Sequence, residues 1–194
     1  MKTAIIIHGV CEDRDEYMRE FGPPKSDAHW YPWVVGKLCL QGILTQRPEM
    51  PNAYIAGGMK YGEWADTFGN FRIDSDAILI GHSAGAGFLL KYLSLNPGIS
   101  CRQLILVAPW TDPVGEAGDF MAGWDGDPEL PRRSGKIDVF FSADDAERII
   151  ESVRRIRGKY ESAPNLKIQK FADKGHFCLS EIGREFPEIL EVVE

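Results

Sequence analysis

The sequence predicts an α/β fold, a three-layer αβα sandwich around a mostly parallel sheet of about six strands. Short runs of apolar and often β-branched residues alternate along the chain with longer stretches whose apolar residues recur at helical spacing. This alternation is typical of βαβ units, whose right-handed crossovers place helices on both faces of a sheet. The short runs are continuously apolar, as expected of strands that are buried on both faces.

Each predicted element follows from its own pattern of apolar residues. The predicted strands are residues 3–7, 43–45, 77–80, 103–107, 137–141 and 166–170. The predicted helices are residues 30–38, 88–95, 147–160 and 182–193. The third of these helices has one apolar stripe, formed by Ile149, Ile150, Val153, Ile156 and Tyr160. We expect Arg154, Arg155 and Arg157 to face solvent instead.

Two segments interrupt the alternation of strands and helices. Residues 48–70 combine proline, glycine and aromatic residues, and residues 109–135 are rich in proline, glycine and aspartate. Segments of this length are often lids or binding loops. The sequence carries no internal repeat and no second-domain linker, and its length suits one core, so we expect a single domain across residues 1–194.

Composition narrows the classes of partner and the location. The net charge of −7 argues against nucleic acid and against an anionic membrane surface. The first apolar run is too short for a signal peptide, and no stretch has the length of a membrane span. The four cysteines are scattered and form no CxxC pair, which favours reduced thiols over a disulfide framework or a zinc site. We therefore expect a soluble cytoplasmic protein, whose oligomeric state the sequence leaves open.

The strongest chemical signal is the pentapeptide GHSAG at residues 81–85, a G-x-S-x-G pattern between a predicted strand and a helical pattern. In this context the chain turns sharply, the serine takes a strained conformation, and its hydroxyl stands above the sheet. The pattern predicts a nucleophile elbow (residues 81–85) in an α/β-hydrolase fold of minimal size, with Ser83 as the nucleophile. The alternative is a glycine-rich turn without chemical significance.

A serine nucleophile needs a base, and the base needs an acid that orients it. The histidine comes last in the hydrolase chain order, and His176 follows Ser83 at a distance, in a loop after the last predicted strand. The acid should follow the preceding strand, where Asp144 and Asp145 are neighbours. Spacing leaves both carboxylates open, with the other one expected to cap the helix that begins near residue 147.

The loop after the first strand, residues 8–11, should supply one donor to an oxyanion hole. The backbone amides of Val10 and Ala84 are the predicted pair of donors. Gly9 allows the main chain to approach closely, and Ala84 directly follows the serine, ahead of the predicted helix. For His8 we predict a structural role, because donation here needs only backbone groups.

The tryptophans of the irregular segments are candidates for lining a substrate pocket. Trp110 and Trp124 are preferred, because both lie in residues 109–135, after the end of a predicted strand. The acidic residues of the same segment lack the spacing of an EF-hand, so we expect a solvated loop there rather than a metal site.

Together these residues resemble the small serine hydrolases related to retinoblastoma-binding protein 9 and their bacterial relatives. The similarity extends over nearly the whole chain and is carried by GHSAG, by FSADD at residues 141–145, by GHF at residues 175–177 and by HWYPW at residues 29–33. It implies that Asp145 is the acid of the triad. Where that family has proline after this aspartate, the present chain has Ala146. Residues 54–59 and 112–133 also depart from the family pattern, so the resemblance carries no substrate over.

The candidate residues predict a serine hydrolase that acts through a Ser-His-Asp triad and an acyl-enzyme. The substrate would be an ester, thioester or amide of a small-molecule or peptidic acyl group, with carboxylesterase-like activity expected before amidase or peptidase activity. Such a mechanism needs neither cofactor nor metal. One alternative is a non-enzymatic protein-binding module on a retained hydrolase scaffold. Another keeps the triad and changes the reaction to acyl transfer or a lyase step.

Overall fold

The computed structural model describes residues 2–11, 18, 22, 24–55 and 57–194. These residues form a six-stranded sheet in the order β2-β1-β3-β4-β5-β6, and all neighbouring strands are parallel. The strands are β1 (Thr3–Ile7), β2 (Leu44–Gln46), β3 (Ala77–His82), β4 (Cys101–Val107), β5 (Ser134–Ser142) and β6 (Leu166–Phe171). The predicted parallel sheet is confirmed, and each predicted run overlaps one of these strands.

Helices cover both faces of the sheet and complete the predicted three layers. They are α1 (Tyr31–Leu40), α2 (Tyr61–Phe68), α3 (Ala84–Leu95), α4 (Leu130–Arg133), α5 (Glu147–Tyr160), α6 (Leu179–Ile182) and α7 (Pro187–Leu190). A 3₁₀ turn, Lys25–Asp27, precedes α1. In β3, Leu79 packs with α2 and α3 on one face, while Ile78 and Ile80 pack with α1 and α7 on the other. Successive residues of a strand point to opposite faces, so this continuously apolar strand fills two cores at once.

The order of the strands reverses between β1 and β3. The strand β2 lies on one side of β1, and all later strands lie on the other side. In open α/β sheets such a reversal opens a crevice at the carboxyl ends of the strands. Ile7 pairs with Gly81, and His82 pairs with Val107, so β1, β3 and β4 end close together at this crevice.

Two predicted helices differ from the observed ones. The predicted closing helix, residues 182–193, is wrong: the chain forms the short helices α6 and α7, and Pro187 begins the second. Proline suits the first turn of a helix and interrupts a helix that has already begun, which explains the break. The helix after the elbow begins earlier than predicted, at Ala84, directly behind the serine.

The segment after β4 is tied down by buried and half-buried cationic side chains. Arg155, predicted to face solvent, instead donates a hydrogen bond to the carbonyl of Thr111 at 3.0 Å, and its guanidinium lies 5.6 Å from the ring centre of Trp124. On the other side, the Lys91 ammonium donates to the carbonyls of Asp119 and Ala122 at 2.7 and 2.9 Å. These contacts make the segment part of the packed structure rather than a loosely held lid.

Within the described ranges, no helix has both the length and the apolar character that crossing a bilayer requires.

Candidate active site

The elbow places Ser83 between β3 and α3 in a conformation that side chains rarely adopt. Its backbone angles are φ 55° and ψ −122°. The serine N–H donates to the carbonyl of Val107 at 2.9 Å, and its carbonyl accepts from the N–H groups of Ala86 and Trp110, both at 3.1 Å. A strained residue persists only where its surroundings hold it. Here the neighbouring strand β4 and the first turn of α3 hold it through the main chain.

Both glycines of the motif are required by close packing of the main chain. A Cβ atom added to Gly81 would lie 2.6 Å from the Cα of Ala86. One added to Gly85 would lie 2.3 Å from the carbonyl oxygen of Ile7 and 2.5 Å from that of His8. Since these neighbours are backbone atoms, they have no flexible end that could move away. The spacing of the motif therefore reflects the approach of α3 to the ends of β1 and β3.

The structure brings Ser83, His176 and Asp145 into one hydrogen-bonded chain. The Nε2 atom of His176 lies 2.9 Å from the Ser83 Oγ, and its Nδ1 atom lies 3.0 and 3.1 Å from the two carboxylate oxygens of Asp145. A carboxylate only accepts, so Nδ1 carries the proton and Nε2 is left to accept from the serine hydroxyl. The Asp145 side chain is 3% exposed and that of His176 is 30% exposed. The imidazole thus stands between a buried carboxylate and a hydroxyl that faces the crevice.

The two neighbouring aspartates have different partners. Asp144 points away from the histidine ring, where it accepts from the Ser142 hydroxyl and from the N–H of Gly175 at 3.0 Å. The hydrogen bond from Ser142 lowers the pKa of Asp144. The expected cap of α5 by a carboxylate does not form, since Ala146 is the N-cap residue and its side chain makes no capping hydrogen bond. The Asp145 carboxylate accepts from the N–H of Ala146 at 2.7 Å. Asp144 instead ties the loop around Gly175 to the end of β5.

The segments that carry the two predicted oxyanion-hole donors both meet Ser83. A Cβ atom added to Gly9 would lie 2.9 Å from the Ser83 Cβ and 3.4 Å from its Oγ, so the main chain before Val10 packs directly against the serine. Ala84 is the first residue of α3, where the helix offers its N–H no acceptor. The positive end of the helix dipole lies at the same place. The main chain that carries each predicted donor therefore lies beside Ser83.

His8 holds the loop that contains Val10. Its Nδ1 lies 2.7 Å from the carbonyl oxygen of Gly9, and its Nε2 accepts from the N–H of Met50 at 2.9 Å. Burial lowers the pKa of His8 to about 4, which keeps the ring neutral and able to accept at Nε2. Since the Gly9 carbonyl and the Val10 N–H belong to one peptide plane, this contact fixes the direction of the predicted donor.

All four histidines of the chain lie at the end of the sheet where the strands have their carboxyl termini. The ring of His82 lies 5.2 Å from that of His176 and 5.8 Å from that of His29. Burial lowers the pKa of His29 to about 3 and lowers that of His82 well below its usual value. The sequence pattern pointed to neither His29 nor His82, and the available signal was the HWYPW string that the chain shares with the resembled family.

The two predicted pocket tryptophans lie in different places. Trp110 is half-buried beside the elbow, where its N–H donates to the Ser83 carbonyl. The Trp124 indole donates to the hydroxyl of Ser94 at 3.3 Å, eleven residues along α3 from the serine. At the rise of an α-helix this separation is about 16 Å. The structure therefore does not bring Trp124 to Ser83, because the segment after β4 runs back along α3.

No protein-family model matches this sequence, and no curated protein matches it. Solved structures do. The ydeN gene product of B. subtilis is similar at a TM-score of 0.78 with 20% identity, over 99% of this chain and 96% of that one. Est1E from Butyrivibrio proteoclasticus, with ferulic acid bound, is similar at 0.62 with 14% identity, over 98% and 89% of the chains. Mouse alpha/beta hydrolase domain-containing protein 10 is similar at 0.59 with 13% identity, over 90% and 81%.

At these levels of identity the likenesses establish the fold. They extend over nearly the full length of both chains for the first two structures, and they include proteins named as hydrolases and esterases. The six-stranded parallel sheet and the helices on both faces are thus arranged as in the α/β hydrolases. The chain has the α/β-hydrolase fold, the scaffold on which those hydrolases are built.

Proposed function

We propose that the protein is a serine hydrolase that cleaves an ester, thioester or amide through an acyl-enzyme on Ser83. The observation that carries the proposal is the hydrogen-bonded chain from the Ser83 Oγ through His176 to Asp145, with heavy-atom distances of 2.9 to 3.1 Å. A nucleophile, a base and an orienting acid within hydrogen-bonding reach are what acyl transfer to a serine requires. Their position at the strand-order reversal is also where open α/β sheets bind ligands.

The proposed reaction proceeds in two halves. The His176 Nε2 takes the Ser83 proton while the serine oxygen attacks the substrate carbonyl, and Asp145 stabilises the resulting imidazolium. The backbone N–H groups of Val10 and Ala84 donate to the oxyanion, a contribution of about 10²–10³-fold in rate per donor. The imidazolium then returns the proton to the leaving group. In the second half, the same base activates a water that releases the acyl group from Ser83.

Two further observations support this proposal over a non-enzymatic binding module. The elbow keeps Ser83 at a positive φ, which a merely structural turn could relieve with glycine. The chain also resembles the serine hydrolases related to retinoblastoma-binding protein 9, and Est1E, which shares its fold, is described with ferulic acid bound. A carboxylesterase-like reaction is the form that we propose first.

A fluorophosphonate probe tests the nucleophile directly. We expect one labelled site in the wild-type protein and none in Ser83→Ala. The matched control is Ser94→Ala on the same helix, because the Ser94 hydroxyl bonds to the Leu90 carbonyl three turns from the site. That variant should be labelled like the wild type. Labelling that persists in Ser83→Ala, or an unlabelled wild-type protein, would overturn the proposal and favour the binding module.

A substrate panel separates the remaining reaction classes. p-Nitrophenyl esters of increasing chain length, an aminoacyl amide and an acyl thioester are compared by kcat/KM. We expect the esters to be cleaved fastest. Adding an alcohol or amine acceptor distinguishes hydrolysis from acyl transfer, since a transferase forms the new ester or amide in preference to the free acid.

A further inference from the structure

Two residues just before α1 contact the loop that carries His176, and the first residue of α1 reaches it indirectly. We call this loop, residues 172–179, the base loop. The Nδ1 atom of His29 accepts a hydrogen bond from the N–H of Leu179 at 3.1 Å. The indole N–H of Trp30 donates to the carbonyl of Phe177 at 3.1 Å. The third residue, Tyr31, reaches the loop through another side chain.

Tyr31 and His82 form a buried hydrogen-bonded pair that ends on the main chain of the base itself. The Tyr31 Oη lies 2.6 Å from the Nδ1 of His82, and the Nε2 of His82 lies 2.8 Å from the carbonyl oxygen of His176. A carbonyl only accepts, so Nε2 carries the proton and Nδ1 accepts from the tyrosine hydroxyl. Burial keeps the His82 ring neutral by lowering its pKa, and this neutral state is the one that both contacts require.

Side-chain support of this kind matters for the base loop because the neighbouring strand and the local backbone conformation do not by themselves fix it. It follows β6, an edge strand in which no residue is fully buried. On either side of His176, Gly175 and Phe177 have φ angles of 49° and 59°. A left-handed conformation at Phe177 is unfavourable for a bulky side chain and persists only where neighbours impose it. A catalytic group displaced by about 1 Å loses about 10²-fold in rate.

We propose that His82, oriented by Tyr31, is a positioning residue that holds the main chain of His176 where its ring can bridge Ser83 and Asp145, with His29 and Trp30 completing the support. This proposal rests on the proposed function. Under this proposal His29, Trp30 and Tyr31 act together with His82 to hold the base loop in place. The base is thereby anchored to the elbow itself, because His82 is the residue directly before the nucleophile.

The alternative is that these residues only pack. Trp30 and Tyr31 belong to an aromatic cluster whose rings also include Phe177 and Phe186, and that cluster stabilises the fold whatever the reaction. Packing and positioning predict different outcomes for variants that change a hydrogen bond and keep the volume.

Tyr31→Phe and two variants of His82 provide the test. The rate constant for fluorophosphonate labelling and the kcat and KM for a p-nitrophenyl ester are measured with the melting temperature. We expect Tyr31→Phe to label about fivefold more slowly, the effect of one net hydrogen bond. His82→Leu should lose about 10²-fold in labelling and kcat with KM nearly unchanged. His82→Gln should recover to within about threefold of wild type, because its amide N–H can donate to the His176 carbonyl.

Tyr160→Phe is the matched control for the tyrosine variant. Tyr160 is as buried as Tyr31 but lies at the far end of α5 in the other core cluster. Its loss of a hydroxyl should leave labelling unchanged. If Tyr31→Phe and His82→Leu label at the wild-type rate, or if Gln and Leu at position 82 are equally slow at equal melting temperatures, the positioning role is overturned while the proposed function stands.

A second measurement does not depend on activity. Amide hydrogen exchange across residues 172–179 is compared in Ser83→Ala with and without His82→Leu. We expect faster exchange in the double variant at the amides of Phe177 and Leu179, which are bonded in the native loop. Unchanged exchange at these two amides would overturn the proposal even if the labelling rate fell.

Discussion

The elbow carries the Ser83 hydroxyl and the base loop carries the His176 ring, and the Ser83 Oγ and His176 Nε2 atoms lie 2.9 Å apart. The two segments are nevertheless held in place by different kinds of contact. The elbow is held by main-chain contacts: glycines that admit neighbouring backbone, and hydrogen bonds from Ser83 to β4. The base loop is held by side chains, among them His29, Trp30, His82 and Asp144.

This difference shows which parts of the sequence determine the elbow and which determine the base loop. The elbow depends on residues within one pentapeptide, so a change there meets rigid backbone. The side chains of His29, Trp30 and His82 that hold the base loop are 94 to 150 positions away along the chain. Substitutions of these supporting side chains should therefore have graded effects on the base loop, and a conservative substitution should preserve its position. The four predictions below break or sharpen this contrast, from the largest expected effect to the smallest.

Gly85→Ala should destroy the elbow. The new Cβ atom would lie 2.3 Å from a backbone oxygen of β1, and the chain can relieve this only by separating α3 from the sheet. We expect a loss of more than about 4 kcal/mol of stability, or no soluble protein. Thermal unfolding measures it. The matched control is Gly158→Ala in α5, where a Cβ atom meets nothing within 4 Å. That variant should gain about 0.5–1 kcal/mol. A Gly85→Ala protein that melts like the wild type would contradict the account of the elbow.

Asp145→Asn should reduce kcat by about 10⁴-fold, because an amide no longer holds the imidazole in the tautomer that leaves Nε2 free to accept. Its neighbour supplies the control. In Asp144→Asn the side-chain oxygen can still accept from the Gly175 N–H, so we expect less than about a tenfold loss. The kcat for a p-nitrophenyl ester measures both. Equal losses would mean that the two carboxylates share the task.

The two aspartates also show which features of the site could be predicted from the sequence and which could not. The fold class, Ser83 and His176 follow from local pattern and chain order, and the structure brings the two residues together. Asp144 and Asp145 are adjacent, so which one faces the ring depends on how β5 ends and on Ser142 and Gly175 taking up the other. The support from Tyr31 and His82 could not be predicted, because it joins residues that only the folded sheet brings together.

His29→Asn should make the protein more resistant to acid. The folded-state pKa of His29 is about 3, below the usual 6.5, so the unfolded chain binds a proton that the folded chain excludes. The stability that depends on neutral His29 is present above pH 6.5 and is lost as the pH falls from about 6.5 towards 3. At pH 5 the loss is about 2 kcal/mol.

Asparagine suits this test because it keeps an acceptor for the Leu179 N–H and tolerates the φ of 52° at this position. The melting temperature of the variant should fall less steeply than that of the wild type between pH 7 and pH 4, with labelling at pH 7 retained. Parallel curves would show that the ring of His29 takes up a proton without cost to the folded state.

Trp124→Phe should have the smallest effect on the reaction. The side chain lies against Ser94 and Arg155, away from both halves of the site. We expect a loss of about 1 kcal/mol from the broken hydrogen bond and labelling at the wild-type rate. The sequence placed Trp124 near the serine because it follows β4, but the chain path after a strand is set by what anchors it, here Lys91 and Arg155. Slower labelling of Trp124→Phe would instead support the predicted role of Trp124 in the substrate pocket.

The gathering of all four histidines at one edge of the sheet has a practical consequence. His8, His29 and His82 are at most 7% exposed, while the His176 side chain is 30% exposed. A reagent that carbethoxylates accessible imidazole should therefore modify one histidine per molecule of native protein, namely the residue that we assign as the base. Stoichiometry of modification against residual activity would count the working sites in any preparation, and denaturation would reveal the three that the fold conceals.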